Sequence, residues 1–448
     1  MKTKYKLTII SFLISTCIWG QSLLPDDIED YHDPSMLKSA LIGDTYIPNG
    51  LAFTPKGDMR ALIVCVGFGP TWDNQSCNDW PTGSNTLPDW ANSKEYMYNS
   101  YSDFSTYASS NHYQNISRFY YEMSDGDFRF IADVYPNRIN IDLTGLTFYS
   151  QINRRALGVM KSQNPNFDWS PYDSRKNKPE YLEDYSTSSP DSVVDFIIFV
   201  YRYNNEWTNF PVSITSNGVA TNAIYSTSIY NGYKFDVDCG YTHFTGGKNF
   251  YNLFIHEVAH NIFRCPHYAM ANSIVGDYFY GQHGWGMMKL STVINSALGW
   301  ERWLLDWIEI EANSVNSDIN SASDLPSNGE FILRDHITTG DVIRIKLNNG
   351  DGDNQYLWIE NHQGLSVFDE RTMRTDGCGN PMPASPRGML AYIESIKGDK
   401  TDFSKNIFSH ASAMNGIKYI HPAGNFDYNI SNTANAGCLW GNLLYNFK

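Results

Sequence analysis

Residues 254–268 read FIHEVAHNIFRCPHY, with His256 and His260 four positions apart, Glu257 between them and His267 seven positions beyond. Imidazole nitrogens at this spacing are donors for a divalent metal, and a glutamate inside the pair can reach a water beside the ion without being a ligand. On a helix, neighbours four apart have Cβ atoms roughly 6 Å from one another, so His256 and His260 can grip one ion. A catalytic zinc also needs a third protein ligand and one open position. On an unbroken helix His267 would lie about 10 Å further along the axis. Zinc–nitrogen bonds of about 2 Å exclude that arrangement. Pro266 cannot continue a helix and biases Cys265 away from helical geometry, so the chain is expected to turn and return His267 to the metal. His267 is the preferred third ligand. His283, in GQHGWGMM, is its main rival and Asp277 a weaker one, while His243 reads as a loop histidine.

The element that must position these groups is a helix starting near Phe250, with Asn249 as its N-cap. At 100° per residue, Tyr251, Phe254, Ile255, Val258 and Ile262 form one apolar face, with His256 and His260 opposite. The helix needs a core to rest on. RALIVCVGFG (Arg60 to Gly69) and SVVDFIIFVYRY (Ser192 to Tyr203) are continuous apolar runs, the pattern of strands covered on both faces. Gln114 to Pro136 reads as helix, an SDG turn, then a strand. Lys161 to Pro190 is rich in Asn, Ser, Pro and charge and is expected to be a long surface insertion. VINSALGWERWLLDW (Val293 to Trp307) has helical spacing. From about residue 311, short alternating runs such as DVIRIKL, QYLWIEN and GMLAYIES predict a β-rich region.

The expected fold class is α+β. The expected organisation is a signal peptide over 1–20, an N-terminal arm over 21–55, a catalytic domain with a mixed sheet over 56–310 and a β-rich domain over 311–448. A chain of 448 residues exceeds what one core usually supports, which favours two domains. The basic MKTKYK followed by apolar LTIISFLISTCIW, with Gly20 before QS, reads as a secretory signal; a lipoprotein anchor through Cys17 ranks second because Thr16 fits poorly. No later stretch suits a membrane span. A net charge of −15 argues against nucleic-acid binding. Six cysteines remain after Cys17, and Cys65 and Cys77 could close a loop; buried thiols are an equal alternative.

Several segments in shared order resemble the immune inhibitor A family of secreted zinc metallopeptidases, which are metzincin-like. ALIVCVGFG resembles the family's first core strand, and RFYYEMSDGDFRF its Y-Y-x-x-x-S-x-G-x-F segment. VVDFIIFVY is similar to the strand before the active-site helix, HGWGMMKL to its W-x-x-M segment, and SALGWERWLLDW to a helix ending in Gly-Trp. QYLWIENHQGLSVFD and RGMLAYIE resemble its E-N-R-Q and G-L-L-I-Y strands. The likeness runs over roughly residues 58–397. Two departures stand out. The family's H-E-x-x-H-x-x-G-x-P-D has lost its glycine here, gained one residue and carries His267 in place of aspartate. Its arginine after the strand asparagine is replaced by His362, following Asn361.

The resemblance implies a zincin-type α+β fold and a secreted, monomeric zinc endopeptidase: a hydrolase acting on protein or peptide substrates. His256, His260 and His267 would be the metal ligands and Glu257 the general base for a zinc-activated water. Tyr268 and His283 are candidates for transition-state or substrate contacts. A methionine beneath the metal would be Met287 or Met288, with Met288 preferred. Calcium is a further cofactor to consider, for instance at Asp351 and Asp353 in NNGDGDNQY, although a polar hairpin turn fits that segment better. Two other readings stay open: a zinc peptidase of narrower specificity, mucin-directed or amino-terminal, and a secreted binding protein whose site has degenerated.

Overall fold

The computed structural model describes residues 55–77, 80–83, 85–175, 190–204, 207, 209–212, 218–219, 224, 228–236, 239–244, 250–263, 286–287, 296–305, 307–308, 318–319, 333–347, 355–373, 388–394 and 417–419. The expected signal peptide and nearly all of the N-terminal arm lie outside these residues. Among the described residues no helix is long and apolar enough to cross a membrane. The architecture mixes helices with a mainly parallel sheet and separate antiparallel sheets.

The larger sheet is built on β1 (Gly57–Gly67), the predicted apolar run. β1 pairs in parallel with β2 (Phe128–Val134) and with the short β3 (Ile139–Asn140) along one side, and with β4 (Ile197–Tyr201) along the other. β4 continues in parallel to β8 (Gly240–His243), and the edge strand β5 (Gly218–Val219) runs antiparallel to β8. β6 (Ser228–Tyr230) and β7 (Tyr233–Phe235) form a separate hairpin.

Both faces of β1 are covered, which is why its sequence does not alternate. Ala61, Ile63 and Cys65 face one buried cluster, and Leu62, Val64 and Val66 face another. On the second side lies helix α2 (Tyr149–Gln163), which buries Ile152, Ala156, Leu157 and Met160. The chain after α2 is exposed over residues 164–166, 168 and 170–171, as expected of a surface segment, but it is anchored to the core at Trp169, Tyr172, Asp173 and Arg175. Trp169 is fully buried, with Phe167, Tyr172, Tyr230 and Phe235 against it, because its large apolar area outweighs its polar neighbours in sequence. Residues 176–189 of that segment lie outside the described residues.

On the first side lie α1 (Ile116–Met123) and α3 (Phe250–Phe263). α1 follows the predicted helix–turn–strand pattern. Asn115 caps it by accepting from Arg118 N at 2.8 Å, and the turn through Asp125 (φ 53°) and Gly126 (φ 86°) leads into β2. The expected helix over Val293 to Trp307 is a shorter α4, Gly299–Leu304, so Gly299 and Trp300 open the helix instead of ending one. Close packing against the second sheet accounts for the glycine at its first position. A Cβ on Gly299 would sit 2.6 Å from Val342 Cγ1 and 2.8 Å from Glu360 Oε1.

The second sheet contains β10 (Val342–Leu347), β11 (Gln355–His362), β12 (Gly388–Glu394) and β13 (Ile417–Tyr419) in antiparallel order, with β9 (Asp318–Ile319) parallel to β10. The segment with Asp351 and Asp353 joins two antiparallel neighbours, β10 and β11, and itself lies outside the described residues. One buried cluster runs from β1, β2 and β4 through α1, α3 and α4 to Val342, Trp358, Leu390 and Tyr392 of this sheet. Hydrophobic burial therefore crosses the sequence position near 310.

Cys65 is a buried thiol whose pKa burial pushes up, and Cys77 donates its S–H to Tyr203 O at 3.3 Å. The Cys65–Cys77 loop closure is not formed.

Candidate metal centre

α3 begins at Phe250, as its sequence predicts, and runs unbroken through His256, Glu257 and His260. It rests on the first face of the large sheet. Phe254 meets Phe130 of β2 with ring centroids 5.8 Å apart, and Tyr241 of β8 at 5.6 Å. Tyr251, Phe254, Ile255, Val258 and Ala259 are all buried in that core. Tyr120 of α1 donates to Ile255 O at 2.9 Å, tying the helix to its neighbour one residue before His256. This gives the first tyrosine of RFYYEM a positional role.

The histidine face is itself enclosed. His256 is 4% exposed and Glu257 7%. His256 Nδ1 lies 3.2 Å from Met287 O. A carbonyl oxygen only accepts, so Nδ1 carries the proton and the lone pair of the neutral ring sits on Nε2. That tautomer is the one a metal-ligating histidine needs, with its second nitrogen held by an outer partner. The donor chemistry at His256 therefore fits a divalent metal.

Met287 is fully buried, and three hydrogen bonds fix its turn. Gly286 N donates to Ser296 O at 3.1 Å, Met287 N donates to Glu301 Oε1 at 2.7 Å, and Met287 O receives the His256 bond. Gly286 has φ 92°, a region that favours glycine. Of the two methionines expected beneath the metal, Met287 thus has its backbone against His256.

His260 lies on α3, but its side chain is outside the described residues. His267, Tyr268, Asp277, His283 and Met288 are outside them altogether. Among the described residues no group of three His, Cys, Asp or Glu side chains is arranged to hold a metal. His243 is not on a loop. It sits on β8, fully buried, where its Nδ1 shares a hydrogen bond with Tyr241 OH. Burial lowers its pKa to about 3, so it is neutral. Tyr241 has its pKa raised by burial, and the nearby Glu257 charge adds to the rise. Strand alternation puts Tyr241 and His243 on the same face of β8, the face that meets α3.

A second buried polar group escaped the sequence reading. Glu360 and His362 of β11, Asp369 of α5 (Val367–Met373) and His336 are all fully buried. His362 Nδ1 donates to Asp369 Oδ1 at 2.7 Å and Nε2 donates to Glu360 Oε2 at 3.1 Å. Burial alone would lower the His362 pKa, but Asp369 and Glu360 outweigh it and raise it to about 10. His362 is therefore a cation, standing where the resemblance would place arginine. Glu360 Oε1 accepts from Gly299 N at 2.7 Å and from Tyr392 OH, and Asp369 Oδ1 accepts from Ser296 Oγ at 2.9 Å. His336 stays neutral, its pKa lowered to about 4 chiefly by burial, with Nε2 3.8 Å from Glu360 Oε2.

No protein-family model matches this chain, and no curated protein matches it.

Proposed function

We propose that the protein is a secreted zinc-dependent endopeptidase. The observation that carries this reading is the His256–Met287 hydrogen bond: it holds the first histidine of H-E-x-x-H, buried on a packed helix, in the tautomer a metal requires. His256, His260 and His267 would hold the ion. Zinc, when bound, lowers the pKa of water and polarises a carbonyl.

The chain's own residues supply the rest. Glu257 follows His256 on the same helical turn, in a site that is nearly closed to solvent. Its carboxylate takes a proton from the attacking water and returns it to the departing amine, so the peptide nitrogen leaves neutral. Tyr241 shares the buried environment of Glu257 and keeps its own proton. Secretion rests on the basic-then-apolar N-terminus. A protein or peptide substrate rests on the resemblance, as does the monomeric state.

The test measures zinc content and casein cleavage in the full chain and in Glu257→Gln. The expected result is one zinc per chain in both, with turnover reduced at least about 100-fold in the variant. An active Glu257→Gln protein, or a wild-type chain that takes up no zinc, would overturn the reading.

A further inference from the structure

The short α4 buries a carboxylate. Glu301 is fully buried between Trp300 and Arg302. Its two carboxylate oxygens divide their work. Oε1 accepts from Met287 N at 2.7 Å, and Oε2 accepts from Leu298 N at 2.7 Å, bridging the turn at Met287 to the start of its own helix. The Met287 backbone is thus held on both sides of its Cα, by Glu301 on its N–H and by His256 on its C=O. We propose that Glu301 is a positioning residue for the metal centre: by fixing the backbone of Met287 in place it fixes the His256 ring and directs Nε2 toward a bound divalent cation.

Charge strengthens the arrangement. A carboxylate accepting from a peptide N–H makes a stronger bond than a neutral acceptor. α4 is itself anchored. Gly299 N donates to Glu360 Oε1 at 2.7 Å and Trp300 N to Tyr392 OH at 3.0 Å. Arg302 donates to Met123 O at 2.7 Å and to His336 O at 2.6 Å. The strut behind His256 is therefore founded on both α1 and the second sheet. Ser296, whose carbonyl accepts from Gly286 N, donates its hydroxyl to Asp369 and adds a second tie between the Met287 turn and that foundation.

This role rests on the zinc reading above and is tested by metal affinity instead of turnover. Zinc dissociation constants would be measured on the full chain by competition with a chromogenic chelator, alongside thermal unfolding. The proteins are wild type, Glu301→Ala, Glu301→Gln and Tyr230→Phe. Tyr230 donates to Met160 O at 3.1 Å, far from α3, and serves as a stability control. The expected result is zinc affinity at least about 10-fold weaker in Glu301→Ala. Glu301→Gln should recover part of it, because the amide oxygen can still accept from Met287 N–H. Tyr230→Phe should unfold at lower temperature with its zinc affinity unchanged. If Glu301→Ala does not fold, the Glu301→Gln affinity decides alone. Zinc binding equal to wild type in the Glu301 variants overturns the positioning role and leaves the zinc reading standing. A wild-type chain without zinc overturns both.

Discussion

His256 and His362 are both buried histidines, and their partners give them opposite chemistry. The Nδ1 of His256 faces one neutral carbonyl, Met287 O. The two nitrogens of His362 face two carboxylates, on Asp369 and Glu360. The first ring can stay neutral with a lone pair on Nε2. The second needs a proton on each nitrogen and has no lone pair for a metal. Burial does not decide what a histidine does; the charge and donor capacity of its two neighbours do. One region presents a histidine held through a single N–H to a neutral carbonyl, and the other contains a histidine held between two carboxylates.

The largest expected effect tests the charged side of this contrast. In His362→Leu, Glu360 and Asp369 lose their shared cation while remaining buried. Stability at pH 7 should fall by about 3–5 kcal/mol in urea unfolding. A loss below about 1 kcal/mol is what a screened surface pair would give, and would remove His362 from the role of a buried cation.

The pH dependence sharpens the same point. The folded-state pKa of His362 is raised from 6.5 to about 10. Its contribution is therefore fully present below pH 6.5 and is lost as pH rises through about 10. Glu360 and Asp369 have lowered values: burial opposes the shift, and the charge and hydrogen bonds of their histidine partners override it. Their contribution is present above the ordinary carboxylate range and fades in acid. His336, lowered to about 4, disfavours the folded state as pH falls below 6.5. The stability difference between wild type and His362→Leu should thus be widest near pH 6 and shrink toward pH 10, read from urea midpoints. A difference that stays flat across that range would mean His362 is not titrating against these carboxylates.

How much of this was legible beforehand depends on which force wrote the pattern. Two-sided burial left a continuous apolar run at β1, and helical spacing with the SDG turn marked α1 and its exit into β2. The start of α3 at Phe250 was legible for the same reason: amphipathic spacing survives in sequence. The helix predicted over Val293 to Trp307 is shorter, with residues 296–298 non-helical and Gly299 fitted against Val342 and Glu360, contacts across more than forty residues. Trp169 looked like part of a polar insertion because its partners Tyr230 and Phe235 come from a distant hairpin. Glu301 and Glu360 carried no signal of their own, since nothing local says that a strand or helix glutamate will meet peptide N–H groups inside a core. On the site, the spacing of His256, Glu257 and His260 was readable. The bond that orients His256 was not, because Met287 lies thirty-one positions away.

A smaller effect isolates the neutral histidine. Gly286 holds φ 92°, and alanine there would strain the turn that presents Met287 O. Gly286→Ala should cost about 1–3 kcal/mol. Gly286 carries no charge and reaches the charged region only indirectly, through Ser296, so the pH profile above 6.5 should keep its wild-type slope. A flattened slope would show that the two regions are not separable.

The smallest effect probes the seam between them. The Tyr392 hydroxyl accepts from Trp300 N at 3.0 Å and donates to Glu360 Oε1. Tyr392→Phe leaves the Trp300 N–H buried without its acceptor, which should cost about 1–2 kcal/mol. Glu360 would still hold Gly299 N and His362, so the imidazolium and its pH slope should persist. If Tyr392→Phe instead abolished that slope, Glu360 would depend on the tyrosine to remain a carboxylate at His362, and the charged region would extend across β12 to the first turn of α4.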